Sequence, residues 1–283
     1  MTPHPAPSTS GVTTRDVDRE PTVYVRSYRV DPGEPGDTAS GSAPEATPPA
    51  GPESDGTCPT QPAGPPPVLL VHGFGSSFRF NWEQTGWVRA LTTAGRTVVG
   101  LDLRGHGASA KPQQASYYSP AQHVADLEAV LDSFDLGRVD VVAYSMGSRM
   151  VWEFMRSHPG RVRRAALAGF GPYSAPRVAG RSDPGTADAV LAAASALPGN
   201  DQAALAACQQ GEQQHPFTAD PAPGVSPLLL AAGTEDELAT DMELLAERLT
   251  DARTLRIPGR DHRTAVAARG LKTAVVEFLE EEG

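Results

Sequence analysis

Cysteine is nearly absent from this chain of 283 residues, positive charge is outnumbered, and the opening segment has no apolar run. Each shortage excludes something. Cys58 and Cys208 stand far apart without metal-ligand spacing, so neither a disulfide framework nor a zinc site is expected of them, and both read as incidental thiols of a reducing compartment. A formal net charge of −10 and the lack of a basic stripe argue against nucleic acid as a partner, because that affinity rests on clustered Lys and Arg. Residues 1–20 are polar and rich in Pro, Ser and Thr, with neither a signal-like apolar core nor a membrane anchor, so the expected location is the cytoplasm, with no membrane partner. The hydrophobic fraction is also low, at 39%, yet Gly 28 and Pro 27 are unevenly spread. Irregular segments therefore dilute an ordinary core.

Residues 1–21 are expected to be disordered, and a single domain to occupy 22–283. Residues 22–30 alternate and are rich in β-branched and aromatic types, as a strand requires. The stretch 31–66 then carries Asp31, Glu34, Glu45, Glu53 and Asp55 among Pro, Gly, Ala and Ser, with no Lys or Arg, and cannot bury enough apolar surface to offset chain entropy. It reads as a disordered insertion. From Val68 onward, short apolar runs at 68–71, 97–101, 139–143, 164–168, 228–232 and 253–257 look like strands, most of them buried. Helical spacing appears between them. Ser119 and Pro120 start a helix over 121–134, Met150, Val151, Phe154 and Met155 share a face over 147–157, and Leu238, Met242, Leu245 and Leu249 share another. A last amphipathic stretch carries Leu271, Val275, Phe278 and Leu279. Strands alternating with helices imply a mostly parallel sheet covered on both faces. The interval 172–225 breaks the alternation, with short helices expected near 186–196 and 201–210, and reads as a small lid.

Residues 143–148 (AYSMGS) follow a strand and open a helix. A serine in such a turn sits on a strained backbone, and Ala143, Gly147 and Ser148 are small enough to let the turn close. Ser145 is thus the candidate nucleophile, and the Met146 N–H, at a helix start, a candidate oxyanion donor. An alcohol needs a general base, and that base needs an acid to orient it. Asp236, in Gly233-Thr234-Glu235-Asp236-Glu237, and His262, in Pro258-Gly259-Arg260-Asp261-His262, each follow a strand. Parallel strands end on one edge, so both can converge on Ser145. Asp236 is the better acid by its place in the loop, with Glu235 and Glu237 as adjacent competitors. Val71-His72-Gly73-Phe74-Gly75 ends the first strong strand and aims the Phe74 N–H as a second oxyanion donor.

HGFG at 72–75, DLRGHGAS at 102–109, AYSMGS at 143–148, GTED at 233–236 and PGRDH at 258–262 together resemble the α/β-hydrolase superfamily over roughly residues 66–280. The resemblance implies a mostly parallel eight-stranded sheet flanked by helices, a small helical lid after the sixth strand, no cofactor or metal, and hydrolysis through an acyl-enzyme. Ala143 stands where the motif usually has Gly. His72 and His106 are implied to order loops, with Asp102 and Arg104 bracing the same region. Tyr144, Phe170 and Phe217 are candidate substrate-binding residues, the first two equally suited to the core. The expected reaction is hydrolysis of a carboxylic ester of a small or medium, mostly apolar substrate. Lactone, thioester or carbon–carbon bond hydrolysis, and a non-catalytic ligand-binding role, are the alternatives. Epoxide and haloalkane chemistry is disfavoured, because relatives performing it place Asp where Ser145 stands.

Overall fold

A computed structural model describes residues 9–17, 20–30, 64–172, 184–224 and 227–281. Eight strands form one sheet: β1 (Thr9–Val17), β2 (Val23–Val30), β3 (Val68–Val71), β4 (Val98–Leu101), β5 (Val139–Tyr144), β6 (Val162–Ala168), β7 (Leu228–Gly233) and β8 (Ala252–Ile257). Their spatial order is β1-β2-β4-β3-β5-β6-β7-β8. β1 pairs with β2, and β2 with β4, antiparallel, while every later neighbour is parallel. This is the mostly parallel sheet expected.

Alternation along the central strands builds two cores, one on each face. Leu69, Val71, Val141, Ala143 and Leu167 point to one side, where α2 (Pro120–Ser133) and α3 (Met146–Ser157) lay down Leu127, Leu131, Val151, Phe154 and Met155. Val68, Leu70, Val142, Tyr144 and Ala166 point to the other, against Leu91 of α1 (Trp87–Thr93) and Leu271, Val275 and Phe278 of α7 (Arg269–Glu280). Each fully buried Leu, Val, Met or Phe contributes roughly 1.5–3 kcal/mol, which is why these helices form despite modest length. Ser119 caps α2 at the expected place, accepting from the Gln122 N–H, and Pro120 occupies the first helical turn.

Two expectations are corrected. Thr9–Val17, placed in a disordered N-terminus, form an edge strand paired along its length with β2. An edge strand covers little core: Val17 is buried but residues 11–16 are exposed, so the sequence has no apolar alternation to announce it. The helix expected through Leu238, Met242, Leu245 and Leu249 is instead a short 3-10 turn at Glu237–Ala239 followed by the one-turn α6 (Glu243–Ala246). Met242 and Leu245 are buried all the same, so the apolar spacing reported a buried face without a continuous helix. β8 is an edge, with Arg253 and Thr254 exposed.

Between β6 and β7, in the interval read as a lid, lie α4 (Pro184–Ser195) and α5 (Gln202–Gln214). Asp201 caps α5, its carboxylate accepting the Ala204 N–H at 2.8 Å. Ala204, Leu205, Cys208 and Gly211 of α5 are buried, whereas Val190 of α4 is 54% exposed. Of the insertion expected at 31–66, residues 31–63 lie outside the described residues.

Candidate active site

β5 is buried throughout and ends against the start of α3, so the chain must reverse within one residue. Ser145 makes that reversal at φ 54, ψ −118. A non-glycine residue there costs on the order of 1–3 kcal/mol and persists because the surroundings over-determine it. Those surroundings are visible: the Ser145 N–H donates to the Ala168 carbonyl at 2.8 Å, and the Ser148 hydroxyl donates to the same oxygen at 2.9 Å. Gly147 is obligatory, since a Cβ there would lie 2.5 Å from the carbonyl oxygens of both Val71 and His72.

The loops after β7 and β8 meet at the same edge. Gly233 permits this, because a Cβ would fall 1.8 Å from the Arg260 carbonyl oxygen. Asp236 is 1% exposed, whereas Glu235 and Glu237 are exposed, so burial singles out the middle carboxylate of the three. His262 Nδ1 lies 3.0 Å from each Asp236 carboxylate oxygen, and its Nε2 lies 2.9 Å from Ser145 Oγ. A carboxylate only accepts, so Nδ1 carries the proton and Nε2 presents its lone pair to the serine hydroxyl. Asp236 also accepts the Leu238 N–H at 3.0 Å, which fixes its rotamer. The Tyr144 hydroxyl donates to the His262 carbonyl at 2.7 Å and holds the histidine loop from below.

The turn after β3 closes beside the serine. A Cβ on Gly73 would be 3.1 Å from Ser145 Cβ, so only glycine lets the turn approach this closely. The Phe74 N–H has no hydrogen-bond partner among the described residues, and the Met146 N–H, in the first turn of α3, has no intrahelical one. His72 is wholly structural: its Nε2 accepts the Leu103 N–H at 2.9 Å, and its Nδ1 donates to the Gly73 carbonyl at 2.8 Å. Burial lowers its pKa to about 4, keeping it neutral. His106 is likewise lowered to about 3, by burial first and His72 second, and its ring stands edge-on to Phe74 at 5.7 Å. Asp102 ties the next loop in, accepting from the N–H groups of Phe78 at 2.7 Å and Ala108 at 2.8 Å. Arg104 pairs with Asp126 through two contacts of 2.6 Å.

The stretch that carries the strand-turn-helix serine matches a family model. The model, described as the alpha/beta hydrolase fold, covers residues 66–207. The chain belongs to the α/β-hydrolase family. Over 96 residues this α/β hydrolase is 36% identical to epoxide hydrolase B of Mycobacterium tuberculosis, a stretch covering 34% of this chain and 26% of that protein. Over 103 residues it is 35% identical to 2-hydroxy-6-oxo-2,4-heptadienoate hydrolase of Pseudomonas putida, covering 36% of this chain and 37% of that one. The matched stretches thus span about a quarter to a third of these relatives. Among solved structures, an enol-lactonase from Burkholderia xenovorans superposes with a TM-score of 0.61 at 22% identity, over 77% of this chain and 93% of that one. Epoxide hydrolase A from Mycobacterium thermoresistibile gives 0.63 at 18% identity, over 95% and 98%. Identities this low speak for the fold alone.

Two of the three aromatic candidates for substrate contact are corrected. Tyr144, 4% exposed, fills the core of the α/β hydrolase and spends its hydroxyl on the His262 loop. Phe170, 1% exposed, is enclosed between Trp152 and Phe217. Phe217 alone keeps part of its surface open. The support from Tyr144 and from the Ala168 carbonyl had no sequence signal, because each partner is distant in the chain. Among the described residues, no cluster of His, Cys, Asp and Glu could hold a metal ion, and no helix is long and apolar enough to cross a membrane.

Proposed function

We propose that this α/β hydrolase is a serine hydrolase that cleaves a carboxylic ester of a small or medium, mostly apolar substrate. Its setting is the cytoplasm, with no cofactor. Ser145 Oγ attacks the carbonyl carbon as His262 Nε2 takes its proton, and the Asp236 carboxylate holds the imidazolium that results. The Phe74 and Met146 N–H groups receive the carbonyl oxygen as it becomes an oxyanion. Collapse expels the alcohol, which leaves with the proton from His262. Water, activated by the same histidine, then hydrolyses the acyl-serine. The carrying observation is the continuous Ser145–His262–Asp236 hydrogen-bond line of 2.9 and 3.0 Å, set beside two N–H groups unpaired among the described residues.

Chemistry also weighs against epoxide hydrolysis by this site, whatever the matched relatives do. Attack of a serine on an epoxide carbon would leave an ether, which has no carbonyl for water to attack, so the enzyme would be consumed. The apolar substrate is supported by the interval 172–225, whose only cations besides His215 are Arg177 and Arg181. The test is a panel of p-nitrophenyl esters, lactones, thioesters, vinylogous diketones and epoxides. Esters should turn over, and Ser145→Ala should cut the rate by at least about 10³-fold. Turnover at the parental rate in that variant would refute the reading, and turnover of only another member of the panel would replace the ester. Labelling by a fluorophosphonate should be lost in His262→Ala.

A further inference from the structure

The turn that carries the Phe74 N–H is held partly from outside the sheet. Asn200, in the turn between α4 and α5, donates from Nδ2 to the Gly75 carbonyl at 2.9 Å and to the Ala194 carbonyl at 3.0 Å. Its Oδ1 accepts the Gly107 N–H at 3.1 Å. One side-chain amide therefore joins three segments: the turn after β3, the loop after β4, and the end of α4. The amide orientation follows from these partners, since exchanging its oxygen and nitrogen would set an acceptor against two carbonyls and a donor against an N–H. The packing around it is equally close. Gly75 has φ 69, and a Cβ there would lie 2.6 Å from Ala194 Cβ; Gly199 has φ 87, and a Cβ there would lie 2.8 Å from the Gly107 carbonyl oxygen.

Gly75 is the residue next to Phe74. A peptide N–H shifted by a fraction of an ångström loses much of its bond to a developing oxyanion, so whatever fixes the Gly75 carbonyl fixes the geometry of the donor before it. His72 secures the inner side of this turn through Leu103 and the Gly73 carbonyl. Asn200 secures the outer side. We propose that Asn200 is a positioning residue that sets the oxyanion-binding turn from the helical segment above it, so that the seating of α4 and α5 governs stabilisation of the transition state rather than binding of the ground state. This rests on the serine hydrolase reading above.

The test compares KM for an ester substrate with Ki for the matching trifluoromethyl ketone, whose adduct on Ser145 places an oxyanion at the same donors. Their ratio does not depend on how much of the sample is folded. In Asn200→Ala, Ki should rise about tenfold and kcat fall in parallel, a part of the 10²–10³ that a whole oxyanion donor supplies, while KM stays within about twofold. Gly199→Ala, which pushes the same turn away from Gly107, should move the ratio in the same direction. Asp201→Ala removes only the cap of α5 and should lower Tm while leaving the ratio unchanged. An active parent whose ratio is unmoved by Asn200→Ala overturns the positioning role alone, as does an Asp201→Ala protein that moves it equally. A parent without Ser145-dependent turnover overturns the hydrolase reading and this role with it.

Discussion

The two ends of β5 carry two polar clusters built on opposite principles. At its start, Asp140 is fully buried and bonded to Arg96 and to Arg163, the latter at 2.9 and 2.7 Å. Arg96 also donates to the Pro66 carbonyl at 2.9 Å, and Arg163 to the Leu279 carbonyl at 2.6 Å, so the cluster ties the entry to β3 and the last helix to the sheet. One carboxylate serves both guanidinium groups, and backbone carbonyls take their further donors. At the other end, Ser145 is half-buried on a strained backbone, the His262 side chain keeps 24% of its surface open, and two N–H groups beside them lack partners among the described residues. One end consumes its hydrogen-bonding capacity within the fold and returns stability. The other leaves part of that capacity unspent within the described residues.

The contrast can be broken by exchanging losses between the two ends. Asp140→Ala should cost about 3–5 kcal/mol, because it leaves the buried Arg96 and the half-buried Arg163 without their counter-charge, yet kcat of the folded fraction should hold. Urea unfolding with active-site titration measures both, and a fall in kcat per titrated site would show that the two ends are coupled. A smaller effect isolates the buried histidines. His123 is 2% exposed with both ring nitrogens unpartnered among the described residues, and burial holds its pKa well below the ordinary value. Between the unfolded pKa of about 6.5 and the lower folded one, the unfolded chain binds a proton that the folded chain does not, so stability falls as pH falls through that window. His123→Leu removes this proton. Its stability relative to the parent should therefore improve on going from pH 7 to pH 5, and an equal difference at both pH values would contradict the assignment. The smallest effect is expected from replacing residues 31–63 by a short Gly/Ser linker. Their flanks leave β2 and enter β3 beside Val98, at the sheet edge of Asp140 rather than of Ser145. kcat/KM should stay within about twofold, and a tenfold drop would show that the insertion reaches the other edge.

The nucleophile turn and the histidine loop were readable because their residues are constrained locally. A serine between a buried strand and a helix, with Gly147 two residues on, admits few other conformations, and the expected α2 start at Ser119 and Pro120 has the same local origin. Asp236 is favoured over Glu235 and Glu237 by its place in the loop, and burial separates it from them, since it alone of the three is buried. β1 escaped notice because an edge strand draws on backbone pairing more than on apolar spacing. Tyr144 and Phe170 stayed open between two readings for the opposite reason: an aromatic near Ser145 in the fold is as well explained by a core as by a pocket, and only packing separates the two. Pro198-Gly199-Asn200-Asp201 announces a turn and a cap, while the three partners of Asn200 are remote or belong to another element.

What the sequence settled unaided was the alternation of strands and helices, the turn at Ser145 and the order of the residues that follow it, since period, glycine placement and capping act over a few neighbours. What tertiary structure decided was which carboxylate faces His262, which aromatics are core, and which turn of α4 and α5 reaches Gly75. Those outcomes depend on burial and on hydrogen bonds between segments scores of residues apart, and such contacts exist only once the sheet has brought its strand ends together.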